Sequence, residues 1–154
     1  MRKSHVSRVL LAGVMFAGLV ACGQDKKATS GLFQQELKLE APVPELKVDQ
    51  SIKIRVAVRN LSGVTWPALG EKPVRLSYHW LDKAGQVVVY DGERTLLEKD
   101  LPAGATAKLD AVVKAPGKPG EYTLQLTMVQ ENVAWFIDKG TRGLDAPIRV
   151  VKKQ

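Results

Sequence analysis

The chain has 154 residues, 23 of them lysine or arginine and 16 aspartate or glutamate, for a formal charge of +7. That length supports one domain with a real core. With one cysteine and two histidines, it contains no clustered zinc or redox ligands. The basic excess is dispersed along the chain, which favours solubility and weak attraction to anionic surfaces and gives no footprint for nucleic acid.

Arg2, Lys3 and Arg8 give the chain a positive start, and Val9 to Ala21 is an uncharged apolar run. The run is too short for a membrane span, which takes about 20 such residues, and fits the apolar region of a secretory signal. It ends at Leu19-Val20-Ala21-Cys22, and Cys22 is the sole cysteine. This stretch resembles the lipobox of bacterial lipoproteins. The resemblance implies cleavage before Cys22, two acyl chains on its sulfur and a third on the new amino terminus, hence a firm membrane anchor. On that reading residues 1–21 are the signal peptide, 22–31 the lipidated terminus and flexible tether, and 32–154 the folded domain. The mature chain has 154 − 21 = 133 residues and a charge of 20 − 16 = +4, because the signal removes three basic and no acidic side chains. No cysteine remains for a disulfide. Gly23 follows the anchor where an aspartate would favour inner-membrane retention, so the resemblance points to the periplasmic leaflet of the outer membrane.

The polar "GQDKKATSG" (Gly23–Gly31) reads as a tether. Leu32 to Glu40 alternates weakly, as a first strand would, and Pro42 and Pro44 then deny the chain a full ladder. In "SIKIRVAVRN", Ile52, Ile54, Val56 and Val58 fall on one face, with Lys53, Arg55 and Arg59 on the other. This period of two defines a half-buried strand. Val74, Leu76, Tyr78 and Trp80 share a face in the next strand, and Gln86 to Tyr90 is short and apolar. Asp91-Gly92 reads as a hairpin turn into "RTLLE", and Pro102 and Gly104 bracket another turn. Ala105 to Lys114 alternates, as does "EYTLQLTMV" through Tyr122, Leu124, Leu126 and Met128; "VAWFID" and "IRVVK" close the chain. Strands with turn signals at roughly 8–12-residue spacing predict an all-β, immunoglobulin-like antiparallel sandwich.

The order of "VRNLSGVTWP", "VRLSYHWLDKAGQVVVYDGERTLLEKDLPAG" and "APGKPGEYTLQLTMVQENVAWF" resembles a small immunoglobulin-like accessory domain found on bacterial glycosyltransferases and methyltransferases. More loosely, it is similar to the tryptophan-rich sandwich of certain autophagy receptors. The likeness runs from about Ser51 to Val150. It implies a domain without catalytic residues, used for binding or spacing, although here no enzyme is attached.

No catalytic set assembles from the residues themselves. His79 should sit on the face opposite Tyr78 and Trp80, as a surface or second-layer residue with no evident nucleophile. Asp91, Glu93, Asp100 and Asp110 are the candidates for a glycosidase-like carboxylate pair, although turn chemistry explains Asp91 better. No cofactor or metal site is expected. The aromatic residues are the stronger candidates for ligand binding: Trp66 in a turn, Tyr90, and Trp135 with Phe136, whose opposed directions put one ring outside the core or under a loop. Trp80 reads as core. Lys139 and Arg142, in the Gly-punctuated loop Asp138–Pro147, are candidates for an anionic polysaccharide or an acidic partner. The expected function is a lipid-anchored envelope binding module, either recognising a polysaccharide or serving as an adaptor in an envelope protein assembly.

Overall fold

The computed structural model describes residues 31–153, and the predicted signal, Cys22 and nearly all of the tether lie outside them. The strands are β1 (Gln35–Leu39), β2 (Leu46–Lys47), β3 (Ser51–Asn60), β4 (Val74–Asp82), β5 (Val87–Val89), β6 (Thr95–Leu96), β7 (Thr106–Lys114), β8 (Gly120–Gln130), β9 (Ala134–Trp135) and β10 (Leu144–Val151). A single 3₁₀ turn spans Ile137–Lys139. One sheet has three strands in the order β1-β3-β7. The other follows β2-β10-β8-β4-β5, with β6 also pairing β4 and β9 pairing β8. The described residues form an all-β domain, as their periodicity predicts.

The alternation in β3 and β7 buries Ile54, Val56, Val58, Leu109, Ala111 and Val113 and leaves Lys53, Arg55, Arg59, Lys108 and Asp110 in water. Those inward side chains join Leu76, Tyr78 and Trp80 of β4 and Leu124, Leu126 and Met128 of β8 in one apolar cluster. Polar tips inside that cluster find partners in the opposite sheet. Trp80 Nε1 donates to the Lys114 carbonyl at 2.9 Å, and the Lys114 amide donates to Tyr78 Oη at 3.0 Å. The two rings therefore bury large apolar areas without stranding a donor.

Several local expectations change. The β2–β10 pair is parallel, at Leu46 and Lys47 against Val150 and Val151, so the larger sheet is mixed. Asp91-Gly92 is not a hairpin turn, because β5 and β6 both pair with β4 and lie in succession along it. Gly92 serves a close approach instead. Its amide donates to the Tyr78 carbonyl at 3.0 Å, and a Cβ there would lie 2.5 Å from that oxygen and 2.6 Å from the Tyr78 ring. The predicted loop Asp138–Pro147 is shorter than the sequence suggests, since β10 begins at Leu144 and includes Pro147. A proline fits there because β2 flanks β10 only at Val150 and Val151, so at Pro147 one side of β10 has no ladder.

The largest departure concerns β4. Its sequence predicts one wet face, yet Ser77 and His79 are as buried as Tyr78 and Trp80. A second layer made by residues 90–94 and β9 covers that face.

Gly92→Ala should lower the unfolding free energy by about 1–3 kcal/mol, the cost of overpacking a dense interior. Gly63→Ala, with nothing within 4 Å of the new Cβ, should be close to neutral. Urea denaturation of the two variants checks the contrast.

Candidate functional site

The second layer holds the densest polar and aromatic cluster in the described residues. His79 and Ser77 project from the outer face of β4, and β9 brings Trp135 beside them by pairing with Val129. The His79 ring lies 4.2 Å from that of Trp135 and stacks on Tyr90 at 4.8 Å. Its Nδ1–H donates to the Tyr90 carbonyl, the arrangement that the carbonyl acceptor demands, while Nε2 is buried with no partner. Burial drives the His79 pKa below its usual 6.5, against the opposing pull of the Tyr90 carbonyl.

Arg94 locks the layer down. Its Nε donates to Glu131 at 2.9 Å, and one terminal nitrogen reaches the Gly92 carbonyl at 2.7 Å and Ser77 Oγ at 3.1 Å. The same nitrogen lies 2.6 Å from Asp91, and the guanidinium carbon sits 4.8 Å from the Trp135 ring centre. Burial opposes the charge on Arg94, and the hydrogen bonds it donates to Asp91 and Glu131 outweigh it, so its pKa stands above the ordinary guanidinium value. One cation thus ties the 91–94 segment to β4 and to the end of β8.

The sequence-predicted residues scatter. Trp66 is 0 % exposed, with Nε1 donating to the Leu32 carbonyl at 2.8 Å. Phe136 is 0 % exposed and packs edge-on against Trp66 and Phe33, each at 5.1 Å. Neither ring offers a face to a sugar. Trp135 is the member of its pair that lies under a loop; it is 7 % exposed, with His79, Tyr90 and Arg94 on its ring. Tyr90 alone of these aromatics stands out in water, at 57 %. Lys139 Nζ sits 5.8 Å from the Phe33 ring centre, and the Arg142 carbonyl accepts from Gln35 Nε2 at 3.1 Å, so that loop is fastened to the start of β1. Lys139 and Arg142 remain exposed there and do not meet the Trp135 cluster in any contact among the described residues.

The carboxylates do not pair either. Asp91 engages Arg94, Asp100 accepts from the Ala68 amide at 2.8 Å, and Asp110 forms a two-bond pair with Arg55 on the other sheet. Among the described residues no group of three or more His, Cys, Asp or Glu is placed to hold a metal. Sequence reasoning missed Arg94 and Glu131 as organisers, because a lone Arg in a loop and a lone Glu at a strand end carry no periodic signal.

Neither the family models nor the curated proteins contain a match to this sequence. Among solved structures, the chain is similar to a CARDB domain from Pyrococcus furiosus in complex with di-metal ions. Identity is 19 % over 77 % of this chain and 86 % of that one, with a TM-score of 0.45. It is also similar to part of a β-glucosidase from Listeria innocua in complex with laminaribiose (15 % identity, 77 % of this chain, 16 % of that one, TM-score 0.48). A PapD-like domain of human CEP192 aligns at 12 % identity over 98 % of this chain and all of that one, with a TM-score of 0.36. These are likenesses of chain path, and no ligand or activity carries across from them.

A histidine whose folded pKa lies below its unfolded value stabilises the fold most above the unfolded pKa. That contribution falls away as pH drops from there toward the lowered folded value. Wild type should therefore lose stability as pH falls through and below the ordinary histidine value, and His79→Gln should flatten that slope. Melting temperatures across that fall in pH check it; equal slopes would contradict the burial of a neutral imidazole.

Proposed function

We propose that the protein is a lipid-anchored module of the bacterial cell envelope, an immunoglobulin-like domain that works by binding other proteins and performs no chemistry of its own. Acylation of Cys22 would fasten it to the periplasmic face of the outer membrane, with the segment before Leu32 as its leash. Confinement to a surface raises effective concentration, so modest contacts suffice.

The observation that carries the binding role is the placement of exposed apolar side chains. Leu61, Val64, Leu69 and Val133 are exposed in loops, Val87, Val88 and Tyr90 are exposed on or beside β5, and Leu96 is exposed farther along β4. The first four lie on loops at the end of the sandwich where the described chain begins: the Leu61 amide donates to the Gln34 carbonyl at 2.9 Å, and Asn132 reaches the Glu71 carbonyl from the neighbouring turn. Grouped apolar residues on a soluble surface mark contact sites. An adaptor role in an envelope assembly is favoured over polysaccharide recognition, because stacking on sugars needs a bare aromatic face and Trp66 and Phe136 have none.

Growth with radioactive palmitate should label the wild-type protein and leave Cys22→Ser unlabelled. Crosslinking in intact cells should join the labelled protein to a specific envelope protein, with recovery reduced by Leu69→Asp. Saturable binding on a glycan array, lost in Tyr90→Ala, would instead support the polysaccharide reading.

A further inference from the structure

The basic excess is dispersed in sequence, and the fold gathers it. Residues 32–154 carry 18 lysines and arginines against 15 acidic side chains, for 18 − 15 = +3. The outer face of the smaller sheet holds six of those cations: Lys38 on β1, Lys53, Arg55 and Arg59 on β3, and Lys108 and Lys114 on β7. Its acidic side chains are Glu36, Asp110 and Glu40, the last just beyond β1. The face alone therefore carries 6 − 3 = +3, and the rest of the domain sums to zero. Ladder register fixes the arrangement: Ala57 lies between Lys38 and Lys108, Lys53 is opposite Val112, and Lys114 is opposite Ser51. Three ion pairs form on the face, Arg55 with Asp110 at 2.7 Å, Lys108 with Glu40 at 2.6 Å and Arg59 with Glu36 at a loose 3.8 Å. Lys38, Lys53 and Lys114 are exposed and make no ion pair among the described residues, so uncompensated charge runs along the face. A basin of 390 Å³ opens beside Lys38, lined also by Glu36, Ala57, Arg59 and Thr106.

We propose that this face docks on an anionic phospholipid surface, with its lysines against the headgroup phosphates. Its composition selects that occupant. Ala57 and Val112 are its apolar side chains, and no aromatic ring stands on it. Protein interfaces are built on apolar and aromatic side chains and are poor in lysine. A layer of phosphates asks only for cations. The path of the chain selects the same occupant. The described chain enters the fold at β1, an edge strand of this sheet. Leu32 lies 32 − 22 = 10 residues beyond Cys22, a span of no more than about 36 Å even when fully extended. An acylated Cys22 would therefore keep this sheet close to lipid. Closeness to lipid rests on the anchor proposed above, and the charge of the face does not.

The larger sheet is the wrong sign for this role. On its wet side Arg149 of β10 lies between Glu45 and Glu121, at 3.7 and 3.6 Å, and Asp145 accepts from Gln125 at 3.0 Å. Acidic side chains outnumber Arg149 there. With the smaller sheet down, that side and β5 turn away from the bilayer, where a protein partner can reach them. Each unpaired lysine adds a modest, salt-screened share of the attraction. Docking is therefore weak and reversible, and confinement by the anchor makes it sufficient.

The test uses the mature chain from residue 22 with Cys22→Ser, so that no acyl chain contributes, and sucrose-loaded vesicles. Co-sedimentation at low salt should show binding to vesicles of phosphatidylglycerol with phosphatidylcholine and none to phosphatidylcholine alone, and binding should fade as salt is added. Lys38→Gln, Lys53→Gln and Lys114→Gln should each lower the partition coefficient about fivefold. Arg149→Gln removes the same charge from the other sheet and should leave it within about twofold of wild type. Circular dichroism confirms that each variant is folded. Equal binding to the two kinds of vesicle, or a loss in Arg149→Gln as large as that in Lys53→Gln, overturns the assignment. So does an absence of binding to both, and retention on an acidic protein would then give the face to a protein partner. Palmitate labelling decides the anchor separately: no vesicle binding with the label intact overturns the docking face alone, and vesicle binding without the label leaves the face standing and removes the anchor.

Discussion

The ladder between β4 and β8 has water on neither face over most of its length. It runs from Val74 against Gln130 to Asp82 against Tyr122. Inward it presents Leu76, Tyr78 and Trp80 to the smaller sheet, and outward Ser77 and His79 to the segment 90–94 and β9. Backbone hydrogen bonds in such a setting cannot be exchanged for water, so a polar group on the strand is costly without an internal partner, and only His79 Nε2 and Arg75 Nε go without among the buried side-chain polar atoms of β4. Trp80 and Tyr78 find theirs on β7, Ser77 donates to the Gly92 carbonyl at 2.9 Å, and His79 finds the Tyr90 carbonyl. These bonds fix where β7, the 90–94 segment and β9 sit relative to β4.

Arg94 is the hinge of the outer layer. A cation with both Asp91 and Glu131 as partners and an aromatic ring beneath it is held in one geometry, which a surface pair would not achieve. Contrast Arg55 with Asp110, a well-formed pair with water all around it, whose removal should be felt far less. Through Arg94 the segment after β5 is kept flat against β4, and β5 is left as the outermost strand of the sheet.

Much of this was legible in the sequence. The alternation through Ile54, Val56 and Val58 names both a strand and its buried face, because charged residues at every second position have only one place to go. The same reasoning puts Trp80 inside and His79 opposite it. It could not say that the opposite face is also covered, since the covering residues come from a segment with no periodicity of its own. The misreading of Asp91-Gly92 has the same origin. A glycine required by a neighbour's carbonyl oxygen looks, in one dimension, like a glycine required by a turn. In sequence, Trp66 is a ligand candidate because it lies in a turn, and Phe136 because it points opposite to Trp135. Their burial depends on Leu32 and Phe33, more than thirty residues earlier in the chain. The period of two and the spacing of turn residues were enough for the all-β architecture.

The account rests on β4 being protected from both sides, and native-state hydrogen exchange resolved by residue measures this most directly. The ladder amides from Val74 to Asp82 should exchange only through global unfolding, with an opening free energy equal to that from urea denaturation, while those of β1 and β2 open at lower cost. Exchange of the β4 amides through a cheaper local opening, with the β3–β7 ladder still closed, would contradict it.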